Sequence, residues 1–422
     1  MGRRNITRRR FLKQSGKAGL ALAATSVGWG ARAVHAQTKP FRIGFAVAMS
    51  GLFGKEGPLV RDSYHLWRDL VNSQGGILIK GKRYKVETLF YDDKSTPATS
   101  AKLVERLVSQ DKVDLLLGTY GSSQVFAASA ISEKYGYPMV SGGASSNKLF
   151  QRGFKHYFST LGRATEEVRG AADCFTIAQP KPKTAAIIGA DILFTSLSVQ
   201  GFEERCKANG IEVAHKELFP VRLGDYNSML SRIKQKNPDV LLVGSHLLVA
   251  LRTARALKEL DFTPKGVAFG YGPTNPDFVK SLGRDAEYII SASEWLPEMP
   301  YKGPIFGSAQ DYTKMFRKAY KRTPDYLEAA STAAAVIQHL AILKTGVTPP
   351  VEDAERKALM EAMHRIDEET FYGRIRFAPD GANEAHPPLA VQIQNGKRVG
   401  VFPREITNGK LWYPMKPWKQ RA

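Results

Sequence analysis

From Phe41 onward, short runs rich in Val, Ile and Leu alternate with amphipathic segments, and the apolar period switches between 2 and 3.6 roughly every 25–35 residues. This alternation predicts βα units and a parallel sheet. The strands are expected at 41–49, 84–91, 113–118, 138–140, 185–188, 212–219, 240–243, 267–270 and 288–291. Between the first two, a helix over 58–71 puts Val60, Tyr64, Trp67 and Val71 on one face and stops at Gly75-Gly76. A helix over 97–109 opens with Thr96 as cap and Pro97 at its first position, where the missing N–H costs nothing, and its apolar face is Leu103, Val104, Leu107 and Val108. Past a Pro/Gly-rich stretch at 295–304 come helices near 308–320, 326–345 and 351–365. Strands at 373–377, 390–394 and 399–402 follow, the last two joined across Asn395-Gly396, a hairpin signal.

Composition confirms a globular chain. Of 422 residues, 43% are hydrophobic and 24% charged, which excludes disorder, a collagen-like repeat and a disulfide framework. The length suits two or three domains, two lobes being the simplest case. Residues 1–36 read as a removable export signal. Thr7-Arg8-Arg9-Arg10-Phe11-Leu12-Lys13 is similar to the twin-arginine motif, and small residues precede an expected cleavage after Ala33 or Ala36. That segment holds eight of the 61 basic residues and none of the 40 acidic ones, so the net charge of +21 becomes +13 without it. The excess is scattered, with no basic, aromatic-interleaved patch, so nucleic acid is not an expected partner. Cys174 and Cys206 are the two cysteines. An oxidising compartment permits a disulfide between them, and two buried free thiols are the equal alternative.

An open parallel sheet binds ligands beyond the carboxyl ends of its strands. There the chain places loops rich in Gly and Ser, among them Thr119-Tyr120-Gly121-Ser122-Ser123 and Ser141-Gly142-Gly143-Ala144-Ser145-Ser146. A helix opening at Ser122 and Ser123 presents unpaired N–H groups and a partial positive charge, a setting suited to an anion. Ser122 serving merely as the cap of that helix is the plainer alternative. Enzyme chemistry finds little support: there is no Cys-x-x-Cys, His-Glu-x-x-His or Gly-x-Ser-x-Gly, and the histidines are too dispersed for a metal cluster. No cofactor and no metal are expected.

The order of these pieces resembles the periplasmic solute-binding proteins of the leucine/isoleucine/valine-binding family, of the type I bilobal fold that serves ATP-driven importers. The residues carrying the resemblance are Ala48-Met49-Ser50-Gly51, Asn72-Ser73-Gln74-Gly75-Gly76-Ile77, Tyr91-Asp92-Asp93, Gly118–Ser123, Pro138-Met139-Val140 and Phe371-Tyr372-Gly373 through Asp380-Gly381. It implies an α/β fold of two Rossmann-like lobes, with parallel-type sheets flanked by helices. Lobe one is expected over 38–160 plus 296–366 and lobe two over 161–293 plus 370–422, with three hinge crossings near Leu161, Glu294 and Glu368. It also implies a monomeric periplasmic receptor that captures a small molecule and presents its closed form to an inner-membrane ABC permease. A periplasmic sensor signalling to a receptor, or an exported enzyme, are the alternatives.

By the same resemblance, a ligand carboxylate would meet Ser122, Ser123, Gly143 and Ser145, while Phe194, Ser245 and Tyr271 close from lobe two. Where relatives have Tyr, Phe194 keeps an apolar wall without the hydroxyl. His246 is expected to be an ordinary, partly buried histidine with a hydrogen-bond partner. The carboxylate that relatives use to pair an amino-acid ammonium is missing from the loop over 270–274. Asp191 and Glu294 are the substitutes considered, the first more plausibly a turn residue and the second a hinge residue. An amino acid held differently, an aromatic or other carboxylate and an amide all remain open as ligands.

Overall fold

The computed structural model describes residues 38–421, so the export motif, its cleavage point and the rest of the leader lie outside the described residues. Residues from Thr38 form one compact unit built on two main sheets.

The first sheet is wholly parallel. Its strands in chain order are β1 (Phe41–Val47), β2 (Val86–Asp92), β3 (Leu115–Leu117), β4 (Met139–Ser141) and β5 (Tyr157–Ser159), and in space they run β2-β1-β3-β4-β5. Helices α1 (Gly57–Ser73), α2 (Pro97–Ser109) and α3 (Ser122–Lys134) connect them. Side chains of successive strand residues alternate between the faces. Ile43, Phe45, Leu115 and Leu117 meet α1 on one face, while Leu116 and Met139 meet Val104, Leu107, Val125 and Ala128 of α2 and α3 on the other. Burial on both faces is why these strands read as unbroken apolar runs.

The second sheet starts with β6 (Thr184–Ala190), then α4 (Leu193–Ala208), β7 (Glu212–Phe219), α5 (Tyr226–Gln235), β8 (Val240–Gly244), α6 (Leu247–Glu259), β9 (Gly266–Phe269), α7 (Pro276–Leu282) and β10 (Ile290–Ser293). The chain then returns to the first sheet with α8 (Ala309–Tyr320), α9 (Tyr326–Thr345) and α10 (Asp353–His364). It ends as an antiparallel hairpin, β11 (Leu389–Gln394) and β12 (Lys397–Phe402), on the edge of the second sheet, whose order is β12-β11-β10-β9-β8-β6-β7. The turn is the expected Asn395-Gly396, both residues with positive φ. Phe371, Tyr372, Ile375 and Phe377 pack in the core of the first sheet, and Leu389 onward belongs to the second. Each sheet with its helices is a lobe.

α9 is long and apolar enough to cross a membrane, but it is the buried central helix of lobe one, and its small residues let a loop lie directly on it. A Cβ on Gly142 would sit 2.3 Å from the backbone of Ala330 and Ser331. The start of α9 is fixed by a capping box: Asp325 accepts the Glu328 N–H at 3.1 Å and Glu328 accepts the Asp325 N–H at 2.8 Å.

Several local expectations differ from what forms. β5 is a three-residue strand the sequence pattern did not mark, because three residues are too few to display a period. Thr96 occupies the cap position of α2, yet its hydroxyl donates to the Lys94 carbonyl and does not cap. Cys174 and Cys206 are free and buried in the same core, so no disulfide joins them.

Candidate functional site

Strand ends of both lobes converge on a narrow cleft that encloses a cavity of only about 20 Å³. Lobe one supplies Tyr120, Ser122 and the 143–145 loop, lobe two supplies Phe194, His246 and Tyr271, and Leu161, Glu167, Tyr326 and Leu327 complete the wall.

On the lobe-one side the chain turns sharply at Gly121, whose φ of +92° favours glycine, and enters α3 at Ser122. Gly121 is therefore the cap position, and Ser122 lies inside the first turn, so the plain capping alternative for Ser122 does not hold. Its Oγ instead accepts the N–H groups of Ser145 at 3.3 Å and Ser146 at 3.1 Å, which leaves its own O–H able to donate. The N–H groups of Ser122, Ser123 and Gln124 have no acceptor within the helix. The Gly143 N–H is already used by Ser141 Oγ at 3.2 Å.

Ser145 points its hydroxyl the other way. Its Oγ donates to Glu167 Oε2 at 2.6 Å, and Tyr326 donates to the second oxygen, Oε1, also at 2.6 Å. Glu167 is buried, and among the described residues it makes no ion pair. Burial pushes its carboxyl well above the ordinary range and the nearby Glu294 pushes it further, against the pull of Ser145 and Tyr326. Glu294 is also buried and likewise raised by burial. It accepts from Tyr372 at 2.7 Å and the Gly162 N–H at 3.3 Å. Two buried carboxyls that repel each other cannot both hold a charge cheaply, which favours a shared proton on the pair.

The lobe-two wall is aromatic. Phe194 lies 5.1 Å from the His246 ring, and Tyr271 stands edge-on to Tyr326 at 5.6 Å. Tyr120 of lobe one and His246 Nδ1 of lobe two are hydrogen-bonded at 2.7 Å, and burial holds His246 neutral by lowering its pKa to about 3. Tyr271 donates to Asp325, the cap of α9, at 3.1 Å. These bonds cross the cleft and hold the lobes closed on each other.

Of the residues expected from the sequence, Ser122, Gly143, Ser145, Phe194 and Tyr271 share this wall, and Ser123 and Ser245 do not. Ser245 is turned away because its hydroxyl donates to the Tyr271 carbonyl at 2.6 Å, and Ser123 sits on the next helical position, rotated off the wall. His246 has the partner expected of it and also lines the cavity. Asp191 is exposed and bonds Ser196 in its own turn, and Glu294, directly after β10, does not line the cavity. Glu167, Tyr120 and Tyr326 were missed. The one hint for Glu167 was an acid pair, Glu166-Glu167, just past the expected crossing at Leu161. The cavity wall carries no Lys or Arg.

Two α/β lobes whose strand-end loops meet across a cleft define a bilobal ligand-binding protein. Residues 40–398 match the family model described as periplasmic binding protein, and the chain belongs to that family. It is 25% identical over 417 residues to the Leu/Ile/Val-binding protein homolog 8 of Brucella suis, covering 93% of this chain and 96% of that one. It is also 25% identical over 272 residues to the Leu/Ile/Val/Thr-binding protein of Salmonella typhimurium, covering 63% and 69%. Among solved structures, the branched-chain amino acid transporter substrate-binding protein LivJ of Streptococcus pneumoniae, in complex with isoleucine, superposes with a TM-score of 0.74 at 20% identity, over 85% of this chain and 97% of that one. A solute-binding protein of an ABC transporter from R. palustris in complex with benzoate gives 0.72 at 20% identity, over 86% and 95%. The two-lobed fold with parallel sheets is the one expected from the sequence.

Proposed function

We propose that this chain is the periplasmic receptor of an ABC importer and that it encloses an α-amino acid with an apolar side chain between its lobes. The observation that carries the reading is the position of Ser145, tied through its N–H to the donor side at Ser122 and through its hydroxyl to the acceptor Glu167. An α-amino acid bears its carboxylate and ammonium on one carbon and needs a donor set and an acid side by side. The carboxylate would take the Ser122 hydroxyl and the free N–H groups opening α3, and the ammonium would take Glu167, whose oxygens each retain a lone pair. Glu167 thus stands where an acid was wanted and the 270–274 loop has none. The apolar side chain would lie against Phe194, Leu161 and Leu327.

Captured solute would pass to an inner-membrane permease, with no cofactor and no chemical step. Export through the leader and a monomeric state belong to the same reading, as do lobe crossings near Leu161 and Glu294 and a third that we place past Phe377, later than Glu368. A second reading is favoured by the aromatic wall and the lack of a basic residue: a neutral Glu167 donating to an aromatic carboxylic acid. A thermal-shift screen of L-leucine, L-isoleucine, benzoate, dicarboxylates and amides separates them, since a bound ligand stabilises by mass action. Stabilisation by the L-amino acids and not by benzoate is expected, and stabilisation by benzoate alone would replace the first reading with the second.

A further inference from the structure

Glu56 belongs to lobe one, on the turn before α1, yet its side chain reaches lobe two. Its Oε1 accepts the N–H of Leu247, the first residue of α6, at 3.2 Å, and only 1% of the residue is exposed. Charged and titratable groups surround it from every neighbouring element. Lys55 beside it reaches Asp277 of α7 at 3.3 Å, Asp325 opens α9, and Tyr120, Tyr271 and the neutral His246 fill the space between. Among the described residues no cation pairs with Glu56, and the two acids that face it, Asp325 and Asp277, both oppose its negative charge. One N–H and a helix start compensate a buried carboxylate only in part.

We propose that Glu56 is a proton-dependent latch, a positioning residue of lobe one that takes a proton from solvent as the cleft closes and then holds the start of α6 in lobe two. The balance is simple: on closure a carboxylate and a solvent proton become a carboxylic acid whose carbonyl oxygen accepts the Leu247 N–H, and on opening the proton returns to water. In the closed form burial raises the group from 4.5 to about 8. Opening exposes it and restores the ordinary value. The closed form therefore gains fully below the open value, and the gain is lost as pH rises through the closed one. Between those limits the closed-to-open ratio should fall about tenfold per pH unit.

The test uses the full chain without ligand, with dyes at the exposed positions Lys102→Cys and Ala208→Cys, one on each lobe, since the native thiols are buried. Energy transfer gives the closed-to-open ratio from pH 5 to pH 8, with and without Glu56→Gln. Titrating groups common to both chains that do not face Glu56, such as Glu167, cancel in the quotient of the two ratios. That quotient should change about tenfold per pH unit, and a change under about twofold over the whole range overturns the latch. If Glu56→Gln does not fold, hydrogen exchange in the unaltered chain decides. The Leu247 amide should quicken with pH more steeply than the Ala254 amide inside α6, and equal slopes overturn the proposal.

Discussion

The two walls of the cleft are assembled from the same βα turns and carry different chemistry. Lobe one ends its strands in Gly-Ser loops that lie directly on α9, where several hydroxyls and amides bond one another while the Ser122 hydroxyl and the first N–H groups of α3 remain able to donate. Lobe two ends its strands in Phe194, His246 and Tyr271, whose polar atoms are spent on Tyr120 and Asp325 across the gap. Lobe one has polar geometry to recognise a ligand's head group. Lobe two has apolar area and closing bonds. The comparison teaches that the free donors lie in lobe one and the apolar wall in lobe two, with Glu167, past the crossing near Leu161, held beside the lobe-one donors by Ser145.

The sharpest way to break that division is Glu167→Gln. Removing the acid while keeping the shape should weaken L-leucine or L-isoleucine by about 100-fold, because a buried ammonium would lose its counter-charge. Binding of benzoate should change by less than about threefold, since a neutral amide also donates. Titration calorimetry checks both, and an unchanged amino-acid affinity would remove Glu167 from the head-group role. Next in size is the Ser122→Ala/Ser145→Ala double variant, expected to cost about 30-fold in affinity for any carboxylate ligand through lost charge-assisted donors and a misplaced Glu167. Full-strength binding would show that the α3 end does not dock the carboxylate. On the opposite wall, Phe194→Ala should cost about tenfold from lost apolar contact, and the loss should grow with ligand side-chain length, L-leucine suffering more than L-alanine. A loss independent of side-chain length would place Phe194 elsewhere in the mechanism.

The frame of this division is legible along the chain, and the decisive acid is not. Val60, Tyr64, Trp67 and Val71 are buried on one face of α1 as their spacing requires, and the Asn395-Gly396 turn joins β11 to β12. These are local signals, set by helical period and turn conformation. The strand-end rule likewise marked the loops that hold Ser122 and Ser145, because position on a parallel sheet fixes which loops meet, while the family resemblance singled out Ser145, Phe194 and Tyr271 as site residues. It could not exclude Ser123 and Ser245, whose orientation depends on a helical rotation and on one bond to a carbonyl. Glu167 lay beyond reach because its surroundings are non-local: Tyr326 is 159 residues away, and β5, the strand that precedes it, is too short to be periodic. Glu56 is a harder case still, its partner at Leu247 being 191 residues distant.

The smallest effect concerns stability without ligand and tests whether the acid side is under electrostatic strain. The Glu167 carboxyl is raised in the folded protein, mainly by burial and next by Glu294, relative to an ordinary value in the unfolded chain. A raised group stabilises the fold fully below its unfolded value, and that contribution is lost as pH rises through the folded one. The unliganded protein should therefore melt lower at pH 8 than at pH 5. Glu56, raised for the same reason, adds to the drop with the same sign. Glu167→Gln removes one titrating member of the buried pair and lets Glu294 ionise without a charged neighbour, so the drop should shrink by about 1–2 °C for a chain of this size. Calorimetric scans of both proteins at the two pH values measure it. An equal drop in both would mean that Glu167 keeps its charge in the empty cavity, and then an ammonium would be drawn in by a standing negative potential instead of by a carboxyl that ionises on binding.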